Sequence, residues 1–307
     1  GMKYSNSSAL HSPLITVQGG IGTAGEIERL LADFNIDKVG IATPFLLVPE
    51  ATCVESTTFN QLIKADESDL YLSDVSPLGV PFNNLRNSLS EQYTNSQVEK
   101  GSPGSPCPKG FLVSNTEFTD SPICTASKQY QKTKLAEIRT NFFDTLDKKI
   151  NEDKVVVKTC ICDHLGNGAL INLGIKKEGK APQAVCPGQN ISWFNREYSL
   201  IEMMSHFYNN KKNLIPSKRP HMFAKEIQMY VDYFDKLVIE SDINEKVSKT
   251  LTEFYENLKN GMDFCRTFAD KKPYPTENLA SINIWIDEQM DRLESIYQTV
   301  FLKKQRA

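Results

Sequence analysis

The sequence predicts an α/β fold that becomes mainly α-helical along the chain, and three stretches predict it. Residues 14–48 have the pattern strand, glycine turn, helix, strand, whereas residues 76–126 are rich in Pro, Gly, Ser and Asn. From residue 127 onward, apolar residues recur mostly at helical spacing. With 307 residues, the chain is long enough to bury a sizeable core and to hold more than one region.

The first stretch predicts a short buried strand at 14–17 (LITV), a turn at 19–23 (GGIGT), an amphipathic helix at 24–34 and a second strand at 38–42. A glycine turn between a strand and a helix start exposes backbone N–H groups that can bind a phosphate. The alternative is a tight turn without a ligand, because glycine also permits positive φ and close packing of the helix.

Two such units in succession form the phosphate site after the seventh and eighth strands of a (β/α)8 (TIM) barrel. We therefore predict that the chain starts with the C-terminal βα units of such a barrel, without the six earlier units. Because a parallel barrel needs eight strands to close, we expect the chain to be the C-terminal part of a longer protein. Otherwise its own helices or another subunit must cover the strands.

The middle stretch, 76–126, predicts neither long helices nor long strands, because Pro and Gly interrupt it throughout. Its apolar residues, among them Phe82, Phe111 and Phe118, favour order over a solvated linker. We predict three regions. They are a barrel portion at 1–88, an ordered Pro/Gly/Cys-rich segment at 89–126 and a mostly helical domain at 127–307.

In the last region, Ser127 is the expected N-cap of a helix through residue 150, whose apolar face carries Leu135, Ile138, Phe142 and Leu146. The run VVVKTCIC at 155–162 predicts a strand, and GNGALINLGI at 166–175 predicts a glycine turn that enters a short helix. Further predicted helices span 199–208, 221–240, 243–268 and 276–302.

The composition excludes several classes of protein. Apolar residues make up 40%, charged residues 24%, and the formal net charge is −3, so there is no basic surface for nucleic acid. No apolar run approaches the ~20 residues that span a bilayer, so we expect no membrane partner. Because the first residues lack the apolar centre of a signal peptide, we expect a cytoplasmic protein.

Seven cysteines are expected to be reduced thiols. Cys107, Cys124, Cys162 and Cys186 are candidate thiolate ligands of Zn²⁺ or an iron–sulfur cluster, since most of the cysteines in this part of the chain lie beside Pro or Gly turns. Cys160 would point to the opposite face of the predicted strand from Cys162. No pair has the C-x-x-C spacing, and the alternatives are small buried hydrophobic residues or one reactive thiol.

Three segments, VQGGIGTAGEIERLL, KVGIATPFLL and SPLGVPFNNLRN, occur in this order within residues 13–88. This series resembles the end of the nitronate monooxygenase (2-nitropropane dioxygenase) family and of the related flavin-dependent enoyl reductases, which are FMN-binding barrels. The resemblance implies that two turns hold the FMN phosphate. Its residue matches are Gly19, Gly20 and Gly22 in the first turn, Ala42 and Thr43 in the second, and Arg86 and Asn87 in the downstream motif.

The function that this resemblance implies is an FMN-linked oxidoreductase that acts on a small-molecule substrate. The family's catalytic histidine lies on earlier strands, and none of His11, His164, His206 and His221 matches its motif, so we assign no catalytic residue. The chain would carry the phosphate-binding end of the barrel and would lack the usual catalytic half. Its partner would be the missing N-terminal barrel portion or another subunit. The alternative is a non-catalytic binding or assembly module with a thiolate metal site.

Overall fold

A computed structural model of the chain describes residues 13–106, 110–141, 145–209, 213–241 and 244–304. In chain order, its strands and α-helices are β1 (Thr16–Gln18), α1 (Ala24–Asp33), β2 (Lys38–Gly40), α2 (Ser56–Lys64), β3 (Leu70–Ser73), β4 (Phe82–Leu85), α3 (Leu89–Glu99), α4 (Lys128–Asn141), α5 (Thr145–Val156), α6 (Ile161–Asn172), α7 (Leu200–Tyr208), α8 (Met222–Glu240), α9 (Glu245–Ala269) and α10 (Ala280–Lys304). Short 3-10 helices span Thr43–Leu47, Glu67–Asp69 and Gln189–Trp193. The prediction of an α/β fold dominated by helices is confirmed.

The chain divides into two compact units, which are described separately. The first combines the described parts of Gly1–Ile41 and Met204–Ala307, and the second is Ala42–Met203. The domain boundaries predicted from the sequence, after residues 88 and 126, lie elsewhere, because composition does not reveal that the start of the chain packs with its last helices.

In the first unit, β1, α1 and β2 form a β–α–β motif, as the sequence predicts, but the prediction that the strands are buried is wrong, because their residues are exposed or half-buried. The strands are parallel, with Thr16 opposite Lys38 and Gln18 opposite Gly40. Within the described residues this sheet has two strands, so they do not complete a barrel. Leu14 and Ile15, just before β1, are 66% and 53% exposed. Parallel sheets are normally covered on both faces, so this exposure is unusual.

The helices α8, α9 and α10 form the main core of the first unit. Their apolar faces meet around side chains that are fully buried, among them Val231, Phe234, Met262, Ile282, Ile286 and Leu293. These helices begin and end within a few residues of the predicted ranges. The long apolar stripe at helical spacing explains that accuracy.

In the second unit, β3 and β4 form an antiparallel hairpin with Leu70 opposite Leu85 and Ser73 opposite Phe82. The hairpin strand β4 and the helix α3 lie inside 76–126, where the sequence predicted no long element. Ser88 caps α3 by accepting a hydrogen bond from the Glu91 N–H. The Pro/Gly clusters interrupt the chain on either side of this helix but not within it.

The predicted strand at 155–162 is wrong. Val155 and Val156 end α5, and Cys160 is the N-cap residue of α6. Val155 is buried against Leu135 and Ile138, so packing against α4 overrides the strand preference of three successive valines.

The predicted glycine turn at 166–175 is also wrong, because Gly166 and Gly168 lie inside α6. The single helix predicted from Ser127 to residue 150 is two helices, α4 and α5, with residues 142–144 outside the described part. The predicted apolar face ends with α4, since Leu146 is 67% exposed.

Candidate functional site

The glycine turn after β1 has positive φ angles, a backbone conformation that favours glycine whether or not a ligand is bound. Gly19 and Gly20 have φ of +91° and +72°, and both are exposed. A Cβ on Gly19 would meet no atom within 4 Å, whereas one on Gly20 would touch the Met222 side chain at 3.8 Å. The turn therefore presents its backbone to open space on the side of Gly19.

The start of α1 is occupied by a side chain of the protein itself. Thr23 is the N-cap, and it forms a capping box with Glu26. One carboxylate oxygen of Glu26 accepts the N–H groups of Gly22 at 2.7 Å and Thr23 at 3.2 Å. These are the backbone donors that would otherwise meet an anion at a helix N-terminus.

The other Glu26 oxygen accepts hydrogen bonds from Arg219 and from the Met222 N–H, both at 2.7 Å. Arg219 also donates to the Gly20 carbonyl oxygen at 2.8 Å. The side chains of Glu26 and Arg219 are 1% and 5% exposed. A Cβ on Gly22 would overlap the Arg219 guanidinium, so Gly22 permits this buried ion pair rather than direct contact with a phosphate.

His206 fixes the same turn from another direction. Its Nδ1 accepts the Leu214 N–H at 3.2 Å, so Nε2 carries the proton and donates to the Gly22 carbonyl oxygen at 2.8 Å. His206 is buried and hydrogen-bonded on both ring nitrogens, which is a structural role.

A second buried carboxylate, Glu277, belongs to the segment between α9 and α10 and contacts Arg29 of α1. It pairs with Arg29 at 2.8 Å and accepts a hydrogen bond from His221 Nε2 at 3.1 Å. Burial by itself would raise the pKa of Glu277, but hydrogen bonds from His221, Arg29 and the Tyr274 N–H outweigh it and lower the pKa to about 2. Both Arg29 and Glu277 are therefore ionised near neutral pH, and they anchor α1 in the first unit.

The residues matched to the second phosphate turn belong to the second unit. Ala42 is exposed and precedes the 3-10 helix Thr43–Leu47. The Thr43 hydroxyl accepts the Gly188 N–H at 3.0 Å, and a Cβ on Gly188 would lie 2.8 Å from that oxygen. Thr43 therefore holds the loop before Gln189–Trp193 in place.

Arg86 ends the hairpin of the second unit, where it is exposed. Its guanidinium donates to the Ser68 carbonyl oxygen at 2.9 Å and lies over the Tyr71 ring at 4.4 Å from the centroid. Asn87 has a positive φ of 54°, which an Asn side chain tolerates. The structure thus joins Gly19, Gly20 and Gly22 in one turn, and it gives Thr43 and Arg86 separate local partners.

The four candidate thiolate ligands are not brought together in the part that the structure describes. Cys124 is buried, Cys162 is half-buried and Cys186 is exposed, while Cys107 lies outside the described residues. Among the described residues, no three His, Cys, Asp or Glu side chains are placed to hold a metal ion.

Two features of the molecule were not found from the sequence. Cys160 and Cys162 are close neighbours, with Sγ atoms 3.8 Å apart, because they start a helix instead of alternating along a strand. The Glu26–Arg219 pair joins residues 193 positions apart. The Thr-x-x-Glu spacing of Thr23 and Glu26 was the available signal for the capping half of that arrangement.

His164 in the second unit is also buried, and its Nδ1 shares a hydrogen bond of 2.8 Å with the Ser90 hydroxyl. Burial lowers the pKa of His164 to about 4, so its ring is neutral near pH 7. The pair connects α3 to α6. His164, His206 and His221, the histidines of the described residues, therefore all lie in hydrogen-bonded structural positions.

A comparison of the chain with protein-family models, curated proteins and solved structures finds no match. Among the described helices, none combines the length and the apolarity that crossing a bilayer requires.

Proposed function

We propose that this chain supplies the phosphate-binding end of an FMN-linked oxidoreductase of the nitronate monooxygenase or enoyl reductase type. The observation that carries the proposal is the parallel β1–α1–β2 motif, with Gly19 and Gly20 at positive φ between the end of β1 and the start of α1. In α/β proteins, this is where backbone N–H groups meet the phosphate of a nucleotide-like cofactor.

The local geometry fits a phosphate at the Gly19–Gly20 turn better than at the first turn of α1. The N–H groups of Gly22 and Thr23 bind the Glu26 carboxylate, whereas the space beside Gly19 is open. Arg219 contacts the Gly20 carbonyl oxygen, and its charge is compensated by Glu26.

When bound, FMN would supply the hydride or oxygen chemistry. The described residues of this chain would anchor and orient its phosphate. We assign no catalytic residue, because His164, His206 and His221 are buried in structural hydrogen bonds. The same proposal includes a small-molecule substrate and a cytoplasmic location.

The exposed β1–β2 sheet supports a partner for this chain. Leu14 and Ile15 are exposed beside β1, and within the described residues no third strand pairs with either strand. A sheet with open edges gains stability when further strands pair with it. We propose that the N-terminal portion of a barrel, or another subunit, supplies them.

The test is binding of FMN compared with riboflavin, which lacks the phosphate, measured by fluorescence polarisation of the flavin. We expect FMN to bind roughly tenfold tighter or more, since a charge-assisted hydrogen bond contributes about 1.5–3 kcal/mol. Inorganic phosphate should compete with FMN. Equal binding of the two flavins, or binding of neither, would contradict the proposal.

A pair of glycine variants locates the site. Gly20→Val should abolish the preference for FMN, because a β-branched residue is strained at φ of +72° and would displace the turn. Gly79→Val is the matched control, since Gly79 has the same φ of +72° in a turn of the second unit. It should lose a similar amount of stability and keep the preference. If Gly20→Val does not fold, Gly20→Ala serves as the milder change.

The alternative function, an assembly module with a thiolate metal site, has weaker support in the described residues, which contain no group of three suitable ligands. Elemental analysis of the purified protein separates the two proposals. Stoichiometric zinc or iron that is lost in Cys124→Ser or Cys186→Ser would favour the metal module.

A further inference from the structure

Cys160 and Cys162 form a close pair of thiols at the start of α6, with their Sγ atoms 3.8 Å apart. In a regular helix, side chains two positions apart do not face each other. Here Cys160 is the N-cap residue, with φ of −74° and ψ of 68°, and this non-helical backbone turns its sulfur toward Cys162.

The two sulfurs have different surroundings. Cys160 is 7% exposed. Cys162 is half-buried and accessible from solvent. Cys160 also lines a small cavity together with Ser105 and His164. A reagent would therefore reach Cys162 first, while the Cys160 sulfur is held beside it.

The spacing suits a disulfide. Residues two apart near a helix start have Cα atoms about 5.4 Å apart, which is within the range that a disulfide bridges. The sulfurs must approach from 3.8 Å to about 2.05 Å. Rotation about the Cα–Cβ bonds of the two cysteines can close this gap, while the Cys160 carbonyl oxygen keeps its hydrogen bonds from the Asp163 and His164 N–H groups.

A bound metal ion explains the short distance between the two sulfurs less well than a disulfide does. Two thiolates leave a Zn²⁺ ion two ligands short of its usual four. Within the described residues, no third His, Cys, Asp or Glu completes a site around these sulfurs.

We propose that Cys160 and Cys162 form a reversible intramolecular disulfide by exchange with a small-molecule disulfide such as glutathione disulfide. The Cys162 thiolate attacks one sulfur of that disulfide and expels the first thiolate, which takes up a proton. Cys160 then loses its proton and attacks the Cys162 sulfur, which expels the second thiolate. Two protein thiols are oxidised by two electrons, and one disulfide is reduced to two thiols.

The acid–base properties of the pair support this order of attack. Burial raises the pKa of Cys160 to about 11, with the neighbouring Cys162 sulfur adding to the rise. Cys160 is therefore a protonated thiol near pH 7, and it becomes reactive only when the mixed disulfide on Cys162 is within reach. The second step should accelerate as the pH rises.

The test uses the full chain in glutathione redox buffers, followed by rapid alkylation, trypsin digestion and mass spectrometry. Both cysteines lie in one tryptic peptide, residues 159–176. We expect this peptide to carry two alkyl groups in reducing buffer. In oxidising buffer it should carry none and be lighter by two hydrogen atoms. The transition should be reversible and should give one midpoint potential.

Single substitutions separate the two roles. Cys160→Ser should trap glutathione on Cys162, whereas Cys162→Ser should leave Cys160 unmodified because it is buried. Cys265→Ser, a buried cysteine of the first unit, is the control and should leave the response of residues 159–176 unchanged. Circular dichroism checks that each variant is folded.

Two results would overturn the proposal. In one, the 159–176 peptide carries two alkyl groups in every buffer, including those in which exposed Cys53 and Cys186 become glutathionylated. In the other, the peptide resists alkylation in the purified protein without loss of hydrogen and becomes reactive after a chelator is added. That result would assign the pair to a metal ion.

Discussion

Two buried carboxylates of the first unit, Glu26 and Glu277, each pair with a buried arginine. Glu26 meets Arg219 at 2.7 Å and Glu277 meets Arg29 at 2.8 Å. Each carboxylate also accepts backbone N–H groups, so its charge is satisfied from several sides. Removal of one partner from such a pair leaves an uncompensated charge in a poorly solvated place, which is strongly destabilising.

The Glu277→Gln substitution tests whether the ionised carboxylate of Glu277 stabilises the first unit. The pKa of Glu277 is lowered from its ordinary value of 4.5 to about 2. The stabilisation from its ionised form is therefore fully present above about pH 4.5 and is lost as the pH falls toward 2. We expect the variant to lose about 3 kcal/mol of unfolding free energy at pH 7. It should also show a shallower loss of stability between pH 4.5 and 2.

Urea denaturation followed by Trp285 fluorescence, with Trp193 replaced by Phe, reports on the first unit. The control is Glu253→Gln, which breaks an exposed pair with Lys249 whose side chains are 64% and 79% exposed. It should change stability by less than about 1 kcal/mol. Equal effects of the two substitutions would contradict the role assigned to Glu277.

At the scale of single elements, α6 contains two glycines with opposite surroundings. A Cβ on Gly168 would overlap the carbonyl oxygen of Cys53 and the amide of Gln183, whereas a Cβ on Gly166 would meet nothing within 4 Å. The contact at Gly168 is part of a buried network in which Gln183 also accepts the Glu55 N–H at 2.7 Å.

Alanine substitutions at Gly168 and Gly166 should change the stability of the second unit in opposite directions. Gly168→Ala should destabilise the second unit by about 1–3 kcal/mol, because backbone atoms must shift to admit the methyl group. Gly166→Ala should stabilise it by about 0.5–1 kcal/mol, since alanine loses less entropy than glycine inside a helix. Denaturation followed by Trp193, with Trp285 replaced by Phe, measures both. Stabilisation by both substitutions would show that α6 does not pack as described.

The sequence predicted those elements that a local pattern marks, namely an apolar stripe at helical spacing or a glycine turn between strand and helix. The β1–α1–β2 motif has its glycine turn and its amphipathic helix within 25 residues, and α8 to α10 carry long stripes. Part of α6 was predicted as a glycine turn, because the sequence does not show that Gly168 serves a close contact with Cys53 and Gln183, which lie outside the helix. The strand predicted at 155–162 was wrong because Val155 lies in α5 and packs against α4.

At the scale of the molecule, part of the candidate site could be predicted and part could not. The Gly19–Gly20 turn follows from a motif of adjacent residues, and its positive φ values agree with that prediction. The occupant of the α1 start could not be predicted, because Arg219 comes from a segment 193 residues away. The convergence of Cys160 and Cys162 required the N-cap geometry of Cys160, which depends on where α6 begins.

At this scale, the proposed function requires that the β1–α1–β2 motif binds a phosphate. The described chain offers an open glycine turn, a compensated arginine beside it and a sheet with exposed edges. These features are consistent with a barrel end that anchors FMN. A tight turn that serves only packing would share the positive φ values but would not respond to a phosphate.

The most direct measurement is a titration of the isotope-labelled chain with FMN, followed by amide resonances in ¹H–¹⁵N TROSY spectra. We predict saturable shifts of the Gly19 and Gly20 amides with FMN and with inorganic phosphate, and none with riboflavin. Gly22 and Thr23, whose N–H groups bind Glu26, should shift less. If the Gly19 and Gly20 amides stay unchanged while FMN reaches millimolar concentration, the turn is not a phosphate site and the proposed function is contradicted.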